Sequence, residues 1–209
     1  SRRRLAHSMT MADAKMRQSV LIIACGALAR EIFALKDANK LDHVTLRCLP
    51  ADLHNRPDQI ADAVGEAIAE ARSEFDRIVV AYADCGTRGA LDRLLKEEGV
   101  ERLDGPHCYA FYSGLDKFLA ESERDIDAFY LTDFLVRHFD RLVYRALGLD
   151  RYPELRDDYF RHYSRLVYLV QCEDEGLMVK AREAAQCLQL KFEVRQTGYG
   201  ELGRFVAAL

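Results

Sequence analysis

Short apolar runs alternate along the chain with stretches in which apolar residues recur every three or four positions. Residues 20–24 (Val-Leu-Ile-Ile-Ala), 44–49, 78–81, 100–103, 128–131, 165–170 and 191–196 are predicted strands. Residues 27–39, 57–74, 90–96, 111–120, 134–147, 153–163, 173–188 and 201–209 are predicted helices. In the first of these Leu28, Ile32 and Leu35 fall on one face; in the second Pro57 suits the first turn, and Ile60, Val64, Ala67, Ile68 and Ala71 share a side. Strands that alternate with helices predict an α/β fold, a mostly parallel sheet flanked by helices on both faces. The layering is Rossmann-like, but G-x-G-x-x-G is absent after the strands ending at Ala24 and Ala81, and so is the Walker pattern. The pattern predicts an N-terminal lead over residues 1–19 and one α/β domain over 20–209. The alternative is two α/β lobes divided between 125 and 165.

Composition narrows this picture. Of 209 residues, 49% are hydrophobic, enough for a sizeable core. A formal charge of −4 with both signs mixed gives no electrostatic case for nucleic acid or an anionic membrane surface, and Arg2-Arg3-Arg4 is too short a run to change that. No apolar stretch approaches the ~20 residues of a membrane span. Six cysteines spread over a chain of this size fit a reducing cytoplasm and free or metal-bound thiols.

The candidate chemistry lies where strands end, the edge at which open α/β sheets bind ligands. The unit strand–Cys-Gly–helix occurs twice, at Cys25 and Cys85. Taken together, the strand-end positions hold Cys25, Asp52, His54, Asp84, Cys85, His107, Cys108, Thr132, Asp133, Cys172 and Glu173. A cysteine before a helix start is expected to favour its thiolate, so Cys85 is also a candidate nucleophile with His54 as base. Three thiols and an imidazole match the ligand preferences of zinc, and three thiolates can hold an iron–sulfur cluster. No C-x-x-C pair supplies a local signature. The competing reading is cysteine as a small packed hydrophobe, the expectation for Cys48 and Cys187. Asp84 and Asp133 are acid/base candidates or helix caps. Arg88 could hold an anion beside Cys85 or point into solvent. The aromatic segment 137–168 suits helix packing, subunit contacts in a homo-oligomer, or a lid.

Four motifs, A-C-G-A-L-A-R-E-I at 24–32, L-H-N-R-P at 53–57, Y-A-D-C-G-T-R-G at 82–89 and H-C-Y-A-F-Y-S-G at 107–114, together resemble the domain-of-unknown-function 1638 family. F-Y-L-T-D-F at 129–134 and R-L-V-Y-L at 165–169 fit it as well, so the resemblance runs from Val20 to Leu209. It implies that Cys25, His54, Cys85 and Cys108 belong to one family site. The family pattern H-D-C stands where this chain has Pro106-His107-Cys108, so Cys108 matches by position and His107 does not. The resemblance also points toward one-carbon or corrinoid metabolism. Three functions follow as expectations. The first is a zinc or iron–sulfur protein acting on a small-molecule substrate, with Cys25, His54, Cys85 and Cys108 as ligands and Asp84 and Arg88 as catalytic groups. The second is an accessory protein for a corrinoid-type partner or methyltransferase. The third is a metal-free thiol enzyme.

Overall fold

The computed structural model describes residues 18–209. Nearly all of the 1–19 lead, with the arginine run, lies outside the described residues. Among the described residues, seven strands form two parallel sheets. In the first, β1 (Val20–Cys25), β2 (Val44–Leu49), β3 (Arg77–Ala81) and β4 (Glu101–Arg102) are ordered β2-β1-β3-β4. In the second, β5 (Ala128–Thr132), β6 (Arg165–Val170) and β7 (Lys191–Gln196) are ordered β5-β6-β7. The α/β expectation is correct in kind; the strands divide between two sheets.

The sequence explains the order. β1 has neighbours on both sides and is apolar at every position, with all six residues buried. Leu21, Ile22 and Ile23 are fully enclosed, each contributing roughly 1.5–3 kcal/mol of apolar burial. β2 and β7 lie at sheet edges and carry a mixed pattern. Most helices begin and end close to their predicted bounds. The predicted helix at 111–120 is instead two, Cys108–Ser113 and Leu115–Glu121, broken at Gly114, whose φ is +86°. The one predicted at 134–147 becomes a short α-helix, Asp133–Arg137, and a π-helical turn, Asp140–Tyr144. Cys48 and Cys187, expected to pack as small hydrophobes, are exposed. β2 turns Cys48 outward from an edge, and Cys187 sits on the solvent side of the helix Glu175–Leu188.

Each sheet has its own core. The first is built on β1, β3 and the helix Ile60–Ala71. The second is built on Leu131, Leu166, Tyr168 and the helix Glu175–Leu188. The final helix, Gly200–Ala207, follows β7 but packs back on the first core through Leu202 and Val206, against the helices Ala29–Ala38 and Cys108–Ser113. Gly200 permits this return. A Cβ there would lie 2.2 Å from the Tyr112 carbonyl oxygen, and its φ is +48°.

The chain therefore passes to the second lobe through 122–127 and returns through 197–199. Within the outgoing segment, buried Asp125 accepts from Arg195 (2.5 and 2.9 Å) and Arg165 (2.8 Å), which ties it to β7 and β6. Across the lobes, Arg137 lies 3.8 Å from both Glu31 and Asp133. Asp133 is fully buried and accepts from the Tyr168 hydroxyl (2.8 Å), the amides of Gln171 and Cys172, and the Cys172 thiol (3.1 Å).

Candidate metal centre

The carboxyl ends of β1 to β4 converge on one cavity, and the local sequence shows how. Cys25 is the last residue of β1, directly before Gly26. A Cβ on Gly26 would stand 2.8 Å from the Leu49 carbonyl and 3.2 Å from the Ala51 amide. Glycine thus lets the β1 turn pass against the end of β2, where a 3₁₀ turn, Ala51–Asn55, carries His54. After β3 the chain enters a tight turn with Cys85 at φ +46°, Gly86 at +90°, Arg88 at +55° and Gly89 at +78°. Asp84 holds this turn. Its carboxylate accepts from the Thr87 hydroxyl (2.6 Å) and the amides of Gly89 (2.9 Å) and Gly86 (3.3 Å). Partial burial opposes its ionisation, but these bonds and the Arg88 amide outweigh it and hold the carboxyl below its ordinary range. The turn is also tied to the next loop, the Asp84 amide donating to Gly105 (2.9 Å) and the Cys85 amide to Pro106 (3.0 Å). These bonds set Cys85 in register with His107 and Cys108.

The ligand atoms of His54, Cys85 and His107 all lie within 4.8 Å of one another. The two Nε2 atoms are 3.4 Å apart. Two imidazoles on a tetrahedral ion with bonds of 2.0–2.1 Å would be separated by about the same distance. On the far side of the His107 ring, Nδ1 lies 3.5 Å from the Cys108 sulfur and 3.4 Å from the Tyr109 amide. A metal-bound imidazole donates from its outer nitrogen; the Cys108 sulfur can accept there, whereas the Tyr109 amide donates to Nδ1 and would give up that contact once a metal held Nε2. Donor chemistry and spacing therefore fit a transition-metal ion such as zinc.

Electrostatics favour the thiolate at Cys85. The neighbouring Cys108 thiol is the largest influence; burial opposes it, and nearby His54 adds to the lowering. The Cys85 thiol is thereby pushed well down, while the Cys108 thiol is pushed up by its contact with Cys85 and by burial. His54 is raised by its contact with Cys85, and burial lowers His107 to about 4. The following helix starts only at Ala90, with Gly89 as its cap, more than a turn beyond Cys85. The expected influence of a helix N-terminus on Cys85 is corrected on that ground.

The same cavity is lined by Cys25, His54, Cys85, His107 and Cys108 on one side and by Phe129, Phe134, Leu135, Leu142 and Val143 on the other. Four predicted ligands thus share one pocket, but the triad with ligand spacing takes His107 in place of Cys25 and Cys108. His107 was the residue that the family pattern put in question. Its signal was adjacency to Cys108 before a helix start, where it now stands as the N-cap. Asp84 and Arg88 are not among the cavity-lining residues; Asp84 is spent on the turn and Arg88 is exposed. Cys172 joins the Asp133 network instead, and exposed Asp52 pairs with Arg56 at 3.4 Å. Phe129 and Phe134 fall within the F-Y-L-T-D-F motif at 129–134, while Leu135, Leu142 and Val143 carried no sequence signal of function and read as ordinary helix positions.

Fold and site define an α/β protein with two parallel sheets and a His/Cys group, able to hold a metal ion, in a cavity between them. The chain belongs to the DUF1638 family of proteins of unknown function, whose pattern matches residues 48–206. That match contains His54, Cys85, His107 and Cys108 but begins after Cys25, so the first motif of the resemblance lies outside it. No curated protein and no solved structure shows significant similarity to the chain. Among the described residues, no helix is long and apolar enough to cross a membrane.

Proposed function

We propose that this protein is a metalloprotein whose centre is His54, Cys85 and His107, with zinc as the ion and a small molecule bound beside it. One observation carries the reading: three ligand atoms from three separate loops meet within 4.8 Å at the mouth of an apolar cavity. Two imidazoles and one thiolate suit zinc better than an iron–sulfur cluster, which is held chiefly by thiolates. Bound here, zinc supplies a Lewis acid with an open coordination position. The chain's own part is to orient and shield. Cys108 sets the His107 ring through Nδ1. Asp84 fixes the turn that presents Cys85. Phe129, Phe134 and Leu142 give the cavity an apolar wall.

The test is metal content of anaerobically purified protein, followed by equilibrium dialysis with zinc. The expected result is about one zinc per chain, with affinity reduced at least tenfold by His54→Ala, Cys85→Ser or His107→Ala. Trace metal on purification and no zinc uptake on dialysis would refute it.

The Cys85–His54 contact favours a second reading, in which Cys85 is a nucleophile and His54 its base without a metal. Zinc at one per chain that blocks alkylation of Cys85 would decide for the first reading.

A further inference from the structure

We infer that the cavity binds a compact, mostly apolar thiol, whose sulfur occupies the open position of the metal. The inference rests on the metal centre proposed above and adds the class of its ligand.

The first observation is charge. A divalent ion bound to one thiolate and two neutral imidazoles carries a net charge of +1. Among the described residues lining the cavity, none is Lys, Arg, Asp or Glu. An uncompensated charge is expensive in such surroundings, so the site favours one further anion bound directly to the ion, supplied by the chain's own Cys25 or Cys108 or by an incoming ligand. A ligand carrying a carboxylate or phosphate away from the metal would find no cation to pair with. A thiol that loses its proton on binding brings one negative charge, at the metal.

The second observation is the opposite wall. Phe129, Phe134, Leu135, Leu142 and Val143, all from the second lobe, face the donors. They offer hydrocarbon contact to the body of a ligand and no hydrogen bonds from their side chains.

The third is size. The cavity measures about 190 Å³. That is below the roughly 300–1,000 Å³ of ordinary ligand pockets, which favours a compact ligand.

The fourth is a buried polar group. Tyr82 lines the same cavity and is 1% exposed, and its hydroxyl stands beside the Cys25 thiol with no other partner among the described residues. A second, neutral polar group on the ligand can therefore be accommodated at that end.

The test uses the full chain loaded with Co²⁺ under a phosphine reductant and titrated with 1-butanethiol, 1-butanol or butyrate. Co²⁺ reports its own binding through its visible spectrum, and each added thiolate adds near-ultraviolet sulfur-to-cobalt charge transfer. The expected result is a saturable increase in that band with 1-butanethiol at one equivalent. Its Kd should be at least tenfold below those of 1-butanol and butyrate. Leu142→Lys should keep the cobalt spectrum and weaken the thiol by at least tenfold. Cobalt binding without a thiol-dependent band, or butyrate binding as tightly as the thiol, would overturn the inference and leave the metal centre standing. Failure to take up Co²⁺ and Zn²⁺ would overturn both.

Discussion

Replacing Asp84 separates a turn-holding role from a chemical one. Its carboxylate accepts three hydrogen bonds, from Thr87, Gly89 and Gly86, at 2.6, 2.9 and 3.3 Å. Thr87 is 7% exposed, so its hydroxyl cannot simply turn to water. Leaving a buried donor unpaired costs about 1–3 kcal/mol, while the exposed Gly86 amide rehydrates cheaply. Asp84→Ala is therefore expected to cost about 3 kcal/mol. Asp84→Asn keeps one oxygen for Thr87 and Gly89 and should cost about 1 kcal/mol. With a urea m-value of about 2–3 kcal/mol/M, the midpoint shifts by about 1 M for alanine and under 0.5 M for asparagine. Because the folded-state pKa is depressed, the contribution of Asp84 is present above the unfolded carboxyl value and is lost as pH falls through the folded one. The gap between parent and Asp84→Asn should thus close in acid. Cys85 follows Asp84 directly at φ +46°, so loosening the turn should also weaken zinc about 10–100-fold in Asp84→Ala. Two outcomes would refute this reasoning. One is an alanine variant within 0.5 kcal/mol of the parent that binds zinc equally well. The other is an asparagine variant with unchanged stability and zinc affinity but no activity, which would make Asp84 a catalytic group.

Iodoacetamide on metal-free protein at pH 6 should alkylate Cys85 first, because its folded-state pKa is depressed and its thiolate persists as pH falls below the ordinary thiol range; Cys48, pushed up to about 11, should stay unmodified, as mass spectrometry of the peptides would show. Glu31 is buried and its carboxyl is raised, chiefly by that burial, so its ionisation destabilises the fold as pH rises through the folded value. Glu31→Gln should therefore stabilise the protein at pH 7 by about 1 kcal/mol and give no gain below pH 4, read by chemical denaturation. Gly200→Ala should lose 3 kcal/mol or more, since its Cβ would sit 2.2 Å from a backbone oxygen. Gly99→Ala, at φ +63° with nothing within 4 Å, should lose only about 1, read by thermal melting.

Much of the first lobe was legible in the residues themselves. The run Val20 to Ala24 read as a buried parallel strand, and Cys25, His54, Cys85 and Cys108 could be placed at one edge because parallel strands send every βα loop the same way. Which of them share ligand spacing could not be read, because that depends on loop geometry: the left-handed turn at Cys85, and the Pro106 carbonyl that anchors it beside His107. The apolar wall was illegible for a different reason. Phe134 and Leu142 have the same periodicity whether they face a core or a cavity, and only the placement of the second sheet decides. Cys48 and Cys187 were misjudged because burial of a small residue depends on its neighbours more than on its own hydrophobicity.

The division into two sheets has a mechanical consequence. Donors and hydrocarbon wall belong to different sheets, and side chains as well as backbone fasten one to the other: Tyr109 lies against Tyr130, and Arg137 reaches toward Glu31. The width of the cleft is thus set by contacts remote from every ligand atom, so an exchange at Tyr109 or Tyr130 would alter which guests enter without touching His54 or Cys85.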